Sequence, residues 1–240
     1  MKKILYILIM LIIAEVYFIT IHILARPVIY LEVKKPMTLA DMPEEKKVLL
    51  DVPVISQLPE LPRGCEVTSL TMLLNYAGVE VTKMELAEKI RKVPYLENGL
   101  YGHPNSGFVG NIYTMSQPGL GVYDKPIQEL ANKYIPYKIV NLTGEDFRWV
   151  LQYLDRGRPV WVINNTTFNV LAEDQFATWQ TVKGKIKVTT KEHSVVITGY
   201  DNKNIYLNDP LTGEKNKAVD RESFIAAWEQ MGKHAITYSR

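Results

Sequence analysis

The only cysteine of the chain, Cys65, stands where a proline-rich segment gives way to a helical pattern. Residues 57–64 contain two prolines and a glycine, which oppose helix formation. After Cys65, apolar residues recur at helical spacing until Gly78, a typical C-terminal stop. We therefore predict that Cys65 lies in the first turn of a helix. The free backbone N–H groups and the helix dipole favour an anion there, so we expect a thiol pKa below the ordinary value of about 8.5.

Two interpretations of Cys65 follow from its position. The residue is either a reactive nucleophile or a small buried apolar side chain at the end of a core helix, as many free cysteines are. A nucleophilic cysteine needs a base to accept its proton, and that base has to come from another part of the chain.

Composition limits the classes of protein that the chain can belong to. With 240 residues and 47% hydrophobic content, it can form one sizeable domain after an N-terminal appendage. A net charge of +2 without a long basic run gives no reason to expect nucleic acid as a partner. A single cysteine excludes an intramolecular disulfide and a thiolate zinc cluster, and nothing in the sequence indicates a metal or an organic cofactor.

The N-terminal segment, residues 1–25, is predicted to be a membrane anchor. An apolar run follows Lys2 and Lys3 and is long enough to cross a bilayer, which requires about 20 helical residues. A cleaved signal peptide is the alternative, and it would leave a secreted protein. No small-x-small cleavage pattern follows the run, so we expect an uncleaved single-pass anchor.

The two lysines place the N-terminus in the cytoplasm and the rest of the chain outside the membrane. Residues 26–47, which are rich in proline and charge, are predicted to be a tether, and residues 48–240 the folded domain. An unpaired cysteine in an oxidising compartment is a liability unless it has a role, which favours the nucleophile interpretation of Cys65.

Periodicity and turn signals predict a mixture of helices and strands in the domain. Residues 94–124 are different, because glycines alternate there with tyrosines and no long periodic element fits. This loop either walls a substrate groove or is an aromatic-stapled surface loop without ligand contact. The predicted elements are a strand at 48–55, helices opening at the capping boxes Thr82–Glu85 and Thr143–Asp146 and at Pro126, strands at 137–141 and 159–163, a hairpin at 179–190 and a terminal strand beginning at His234.

A second chemically distinctive region begins at His193. Residues 193–201 and 205–209 read as two strands joined by a tight polar turn, which predicts an antiparallel hairpin. His193 and Asp209 then lie at the same open end of the hairpin. A carboxylate that holds one imidazole nitrogen leaves the other free to accept a thiol proton. A register slip of one residue would present Asn208 instead, and an amide can also orient a histidine.

The other three histidines are weaker candidates for the base. His103, in the glycine-rich loop, is the rival to His193, although a loop is a difficult place in which to preorganise a catalytic group. His22 lies in the apolar N-terminal segment, and His234 begins a predicted terminal strand, so we expect structural roles for both.

The motifs together resemble a known family. Residues 57–66 read Gln-x-x-Glu-Leu-Pro-x-Gly-Cys-Glu, residues 193–201 read His-Ser-Val-Val-Ile-Thr-Gly-Tyr-Asp, and Asp209 precedes a proline. This pattern resembles the papain-like cysteine peptidases related to the bacteriocin-leader (double-glycine) peptidases, and in particular their stand-alone, exported bacterial branch. The resemblance spans residues 48–240. It implies an α+β, papain-like fold with an N-terminal nucleophile helix packed on an antiparallel sheet, here preceded by one transmembrane helix.

The resemblance also implies roles for four residues. Cys65 would be the nucleophile, His193 the general base and acid, Asp209 the orienting carboxylate and Gln57 an oxyanion-hole donor. The expected activity is that of a membrane-anchored extracytoplasmic cysteine peptidase acting on a peptide or protein. The chain has neither the further membrane spans nor the nucleotide-binding motif of the leader-processing transporters, so a double-glycine leader is not the expected substrate. The alternatives are a peptidoglycan stem-peptide amide hydrolase of the NlpC type and an inactive papain-like domain that binds peptides.

Overall fold

An antiparallel sheet with helices on both faces forms the centre of the computed structural model, which describes residues 47–239. These residues belong to one compact unit, and the predicted anchor 1–25 and all but the last residue of the tether 26–47 lie outside the described part. Within residues 47–239, no helix combines the length and the apolar character that crossing a membrane requires.

Thirteen strands and five α-helices are found in the described residues. The strands are β1 (Val48–Leu49), β2 (Lys92–Val93), β3 (Leu96–Glu97), β4 (Leu100–Tyr101), β5 (Phe108–Val109), β6 (Ile139–Asn141), β7 (Val160–Asn165), β8 (Ala177–Thr181), β9 (Gly184–Val188), β10 (Glu192–Tyr200), β11 (Asn204–Asp209), β12 (Glu214–Asp220) and β13 (Ala235–Tyr238). The helices are α1 (Cys65–Tyr76), α2 (Lys83–Lys89), α3 (Asp124–Ala131), α4 (Phe147–Asp155) and α5 (Arg221–Gln230).

The main sheet has the strand order β12-β11-β10-β7-β13-β6, with β1 paired to the far end of β10. Every neighbouring pair in it is antiparallel. Side chains alternate across β7: Trp161 and Ile163 join the core that contains α1, and Val160 and Val162 join the core that contains α4 and α5. Because both faces are covered, this strand is a continuous apolar run, as its sequence predicted.

Helix α1 lies against the middle of this sheet. Residues 65–74 are all buried, and two hydrogen bonds fix the helix to the strands below it. The Ser69 hydroxyl donates to the Ser194 carbonyl of β10 at 3.1 Å, and the Trp161 indole of β7 donates to the Glu66 carbonyl at 2.9 Å. The N-terminal turn of α1 is therefore held beside the start of β10.

The opposite face of the sheet is covered by α4 and α5. Phe224 and Trp228 of α5 are fully buried, and Phe147 of α4 makes edge-to-face contacts with both rings. Truncating buried aromatic side chains of this kind typically costs about 3–5 kcal/mol. This second core supports the strands that carry the hairpin residues.

The predicted strand at 48–55 is shorter in the structure. Strand β1 covers only Val48–Leu49, and the Leu50 N–H makes one further bond to the Thr198 carbonyl of β10 at 2.8 Å. The chain leaves the sheet before Pro53, which has no N–H to give to a ladder. Beyond that point, the Asn208 side chain holds the chain and donates to the carbonyls of Val52 at 3.0 Å and Pro53 at 3.3 Å.

The predicted helix start at Thr143 was wrong. Helix α4 begins at Phe147 and is capped by Asp146, which accepts a hydrogen bond from the Arg148 N–H at 2.9 Å. The Thr143 hydroxyl instead accepts a hydrogen bond from the backbone N–H of Ala235 at 3.2 Å, so a tertiary contact replaces the predicted cap.

The loop at 94–124 is largely irregular, as predicted, and contains only the short strands β3, β4 and β5. Tyr101 stacks on Trp179 of the predicted β8–β9 hairpin with ring centroids 4.3 Å apart, and Tyr95 packs edge-on against both rings. Later in the loop, the carbonyls of Asn111 and Thr114 accept hydrogen bonds from Arg63. These bonds tie the loop to the segment that precedes Cys65.

Candidate active site

Cys65 is the first residue of α1, as predicted, and its side chain is 8% exposed. Gly64 precedes it because the backbone turns tightly there: a Cβ at this position would lie 2.4 Å from the Cβ of Leu61. The glycine therefore allows the chain to enter α1 directly from the turn at 61–64. Cys65 also lines the cavity described below.

His193 and Asp209 form the pair that the hairpin predicted. His193 is the second residue of β10 and Asp209 the last of β11, and their Nε2 and Oδ1 atoms are 2.8 Å apart. Both side chains are about 3% exposed. Since the carboxylate holds Nε2, Nδ1 is the ring nitrogen left to exchange a proton with a thiol.

The environment of Asp209 keeps it ionised. Burial works against the charge, but hydrogen bonds from His193, from the Leu211 backbone N–H and from Lys217 hold the pKa of Asp209 well below its ordinary value. The residue can therefore orient the imidazole and stabilise an imidazolium at neutral pH.

The alternative orienter, Asn208, has a different position. Its amide donates to the segment that follows β1, and its Oδ1 accepts a hydrogen bond from the Asn216 N–H at 2.9 Å. In this register Asp209, and not Asn208, contacts His193.

Gln57 is buried beside Cys65. Its Nε2 donates to the Pro62 carbonyl at 3.0 Å, and its backbone N–H donates to the Pro210 carbonyl at 2.8 Å. The second of these bonds attaches Gln57 to the turn that follows Asp209. An amide nitrogen has two hydrogens, so Gln57 keeps one donor for a further acceptor.

Cys65, His193 and Gln57 line one cavity of about 200 Å³. The glycine-rich loop forms part of its wall, as the groove hypothesis for residues 94–124 expected. The loop residues at the cavity are Met115, Gly119 and Leu120.

A larger cavity, of about 450 Å³, lies elsewhere on the domain. It holds no cysteine, histidine or acidic side chain, so the residue chemistry favours the smaller one as the site. Its lining consists of Tyr153, Arg156, Arg158, Tyr238 and Ser239.

The predicted low pKa of the thiol was wrong for the structure described. Burial raises the pKa of Cys65 well above its ordinary value, and the adjacent carboxyl groups of Glu66 and Glu192 raise it further. A hydrogen bond from the Ser194 backbone acts in the opposite direction but is outweighed. The thiol is neutral and donates to Glu66 Oε2 at 3.3 Å.

His103 and His234 do not line this cavity. His103 lines a different cavity, and its Nδ1 accepts a hydrogen bond from the Asn105 N–H at 3.0 Å. His234 is bonded to Asp124 at 2.6 Å, in a second buried His–Asp pair beside the terminal strand. His22 lies outside the described residues. Among residues 47–239, no group of three or more His, Cys, Asp or Glu side chains could hold a metal ion.

Three residues at the site were not singled out from the sequence. Glu66 and Glu192 each stand next to a predicted site residue, Cys65 or His193, and that adjacency was the available signal. Arg63, which ties the loop to the cavity, has no comparable signal, because its partners are main-chain carbonyls distant in sequence.

A cysteine at the start of a helix that shares a cavity with an imidazole on an antiparallel hairpin is the arrangement of the papain-like class. The particular family follows from comparison: the chain belongs to the Peptidase C39-like family, whose sequence model matches residues 49–236. This confirms the resemblance drawn from the motifs at the level of the family.

Two proteins from Bacillus species are similar to this chain. The uncharacterized protein YvpB of Bacillus subtilis (strain 168) is 50% identical over 194 residues, which make up 80% of this chain and 76% of YvpB. The crystal structure of a protein from Bacillus anthracis described as a C39-like peptidase superposes with a TM-score of 0.81 at 50% identity. That match covers 82% of this chain and 98% of the other.

Proposed function

We propose that the protein is a cysteine peptidase that hydrolyses a peptide bond, or a related amide, through an acyl-enzyme on Cys65. The observation that carries the proposal is the cavity that Cys65 shares with Gln57 and with His193, whose imidazole is hydrogen-bonded to buried Asp209. Membership of the C39-like family supports the same reaction class.

The proposed reaction uses the side chains in a fixed order. His193 Nδ1 accepts the thiol proton as the sulfur of Cys65 attacks the substrate carbonyl carbon. The tetrahedral oxyanion accepts hydrogen bonds from the Cys65 backbone N–H and the Gln57 amide. The imidazolium then gives its proton to the leaving amine, and the C–N bond breaks to leave a thioester. A water that loses its proton to His193 hydrolyses the thioester and restores the thiol.

Asp209 has a positioning role in this scheme. It fixes the tautomer of His193 and stabilises the imidazolium that forms between the two proton transfers. The hydrogen bond from Gln57 to the Pro210 carbonyl, next to Asp209, supports a single rigid arrangement of the oxyanion donor and the base.

Replacing Gln57 with alanine should lower kcat by about 10²–10³-fold with a smaller change in KM, because an oxyanion donor acts mainly in the transition state. Steady-state kinetics on a fluorogenic peptide would measure this. Leu211→Ala is the matched control, because Leu211 lines the same cavity without a side-chain donor. A Gln57→Ala enzyme within threefold of the wild-type kcat would remove Gln57 from the oxyanion hole.

The substrate class is tested by incubating the full-length protein in detergent with a peptide library and, separately, with peptidoglycan. Mass spectrometry then detects cleaved products, and a Cys65→Ala sample serves as the blank. New peptide termini in the library would support the peptidase assignment. Cleavage restricted to peptidoglycan stem peptides would favour the NlpC-type hydrolase, and binding without cleavage would favour a peptide-binding module.

The proposal includes the location predicted from residues 1–25. The apolar run and its flanking lysines support a single-pass anchor with the domain outside the membrane. In that arrangement the substrate would be a peptide or protein at the cell surface.

A further inference from the structure

A buried carboxyl group lies in contact with the proposed nucleophile. Glu66, the second residue of α1, is 1% exposed, and its Oε2 accepts the hydrogen bond of the Cys65 thiol at 3.3 Å. Its other oxygen, Oε1, accepts from the Val122 backbone N–H at 2.7 Å. These two contacts hold the carboxyl group between the sulfur and the loop that precedes α3.

A second carboxyl group, that of Glu192 on β10, lies near the carboxyl group of Glu66. Both of its oxygens are buried, and neither has a hydrogen-bond partner among the described residues. Gly121 lies where the two groups meet: a Cβ built on it would be 2.4 Å from Glu66 Oε1 and 2.9 Å from Glu192 Oε1. The absence of a side chain at Gly121 is what makes room for the carboxyl pair.

No ion pair compensates the two carboxyl groups. Within residues 47–239, neither Glu66 nor Glu192 takes part in a salt bridge. The titratable groups near the pair are Cys65 on α1, the largely buried phenol of Tyr123 on the loop and His193 on β10. Arg63 lines the same cavity, but its guanidinium donates to loop carbonyls and to neither carboxyl group. A buried carboxylate without a partner is costly and tends to hold its proton instead.

Burial accordingly raises the pKa of Glu66 to about 7. Burial and the charge of Glu66 raise the pKa of Glu192 well above its ordinary value. Like-charged carboxyl groups at one site cannot both ionise easily, so the pair retains a proton at a pH where exposed carboxyls have lost theirs.

We propose that the Glu66 carboxyl group retains a proton beside Cys65, and that this proton determines whether the sulfur can become a thiolate. The inference rests on the proposed role of Cys65 as the nucleophile. Glu66 is the member of the pair that touches the reacting atom. Glu192 keeps its own proton when Glu66 ionises, because burial and the charge of Glu66 both oppose its ionisation.

The two protonation states have opposite effects on the sulfur. When Glu66 Oε2 carries the proton, its O–H donates to the sulfur and stabilises the thiolate that forms as the thiol proton moves to His193. When that proton is lost to water, the Glu66 carboxylate accepts the S–H bond, and its negative charge opposes ionisation of the thiol. The nucleophile is therefore competent below about pH 7 and suppressed above it.

The test is the alkylation rate of Cys65 by iodoacetamide in the full-length protein between pH 5 and pH 9, followed by intact mass spectrometry. Cys65 is the only cysteine, so the label reports on one site. Three variants are compared with the wild type: E66Q, E192Q and, as the matched control, E88Q, which removes an exposed carboxylate elsewhere.

The two site variants should behave differently. E66Q places a permanent N–H donor beside the sulfur, so alkylation at pH 8 should rise about tenfold or more and should no longer decline near pH 7. E192Q replaces a carboxyl group that is uncharged when Glu66 ionises, so its alkylation should still decline near pH 7. E88Q should follow the wild type. Acceleration in both site variants, or no change in E66Q, would overturn the proposal.

Infrared difference spectra of the wild type and E192Q provide a second measurement, which does not depend on E66Q folding. One carboxylic acid C=O band, that of Glu66, should disappear near pH 7 in both the wild type and E192Q. Its absence from the wild type at pH 6 would also overturn the proposal. Neither measurement needs a substrate, so a failed peptidase assay bears on the proposed function alone.

Discussion

Replacement of Cys65 by alanine should abolish hydrolysis of any peptide that the wild type cleaves, with a fall in kcat/KM of about 10⁴-fold or more. The chain has no second thiol, and no acyl-enzyme can form without the sulfur. The measurement is the rate of peptide cleavage by full-length protein, together with loss of iodoacetamide labelling.

Stability controls separate this loss from unfolding. The Cys65 side chain is small and lies at the start of α1, so the melting temperature should change little in Cys65→Ala. Thr68→Ala is a matched variant in the same helix, because Thr68 is buried but its hydroxyl has no partner among the described residues. Thr68→Ala should keep most of the activity. Cys65→Ala activity above a hundredth of wild type would exclude Cys65 as the nucleophile.

Replacement of His193 by alanine should lower kcat/KM by about 10³–10⁴-fold, because the thiol then has no base and the leaving amine has no acid. The reaction depends strongly on His193 because burial raises the pKa of Cys65, so that little thiolate forms without a proton acceptor. The rate of peptide cleavage across pH 5 to 9 measures the effect.

The fold supplies a control for this variant in its second buried His–Asp pair. His234→Ala, like His193→Ala, removes the histidine partner of a buried aspartate, so both variants should melt at a lower temperature than the wild type. Only His193→Ala should lose activity per folded molecule. His103→Ala should keep both activity and stability, because His103 lies at another cavity. If His103→Ala removed activity and His193→Ala did not, the base would be His103.

The relative placement of His193 and Asp209 was predictable because it follows from local rules. A tight polar turn between two apolar runs fixes which residues meet at the open end of a hairpin. The helix start at Cys65 was likewise predictable from the glycine and prolines before it. The roles assigned to Cys65, His193, Asp209 and Gln57 stay predictions until the variants are measured.

The error in the thiol pKa has a tertiary cause. The helix dipole is a local property and can be read from sequence, but burial depends on the whole fold. Glu192 lies far from Cys65 in sequence and reaches it only because α1 packs across β10. The predicted direction of the pKa shift was wrong because burial, the largest contribution, comes from the tertiary fold.

Helix α5 and strand β12 show two different limits of prediction. The sequence contains the signals for α5: a capping residue, Asp220, followed by Phe224, Ala227 and Trp228 at helical spacing. In the structure Asp220 accepts a hydrogen bond from the Ser223 N–H at 2.9 Å. No helix was predicted for Arg221–Gln230, so the helix that covers the second face of the sheet was missed. Strand β12 is a charged edge strand, which reads as a loop because its side chains are mostly solvated.

The contact between α1 and β10 joins Ser69 to Ser194, which are 125 residues apart in the chain. During synthesis from the N-terminus, the sulfur is made long before the strand that brings the imidazole. Strand β13, the last strand of the described residues, pairs with both β6 and β7 and closes the sheet after the other strands have been made. In the proposed mechanism, a nascent or truncated chain without β10 therefore carries a thiol that has no base.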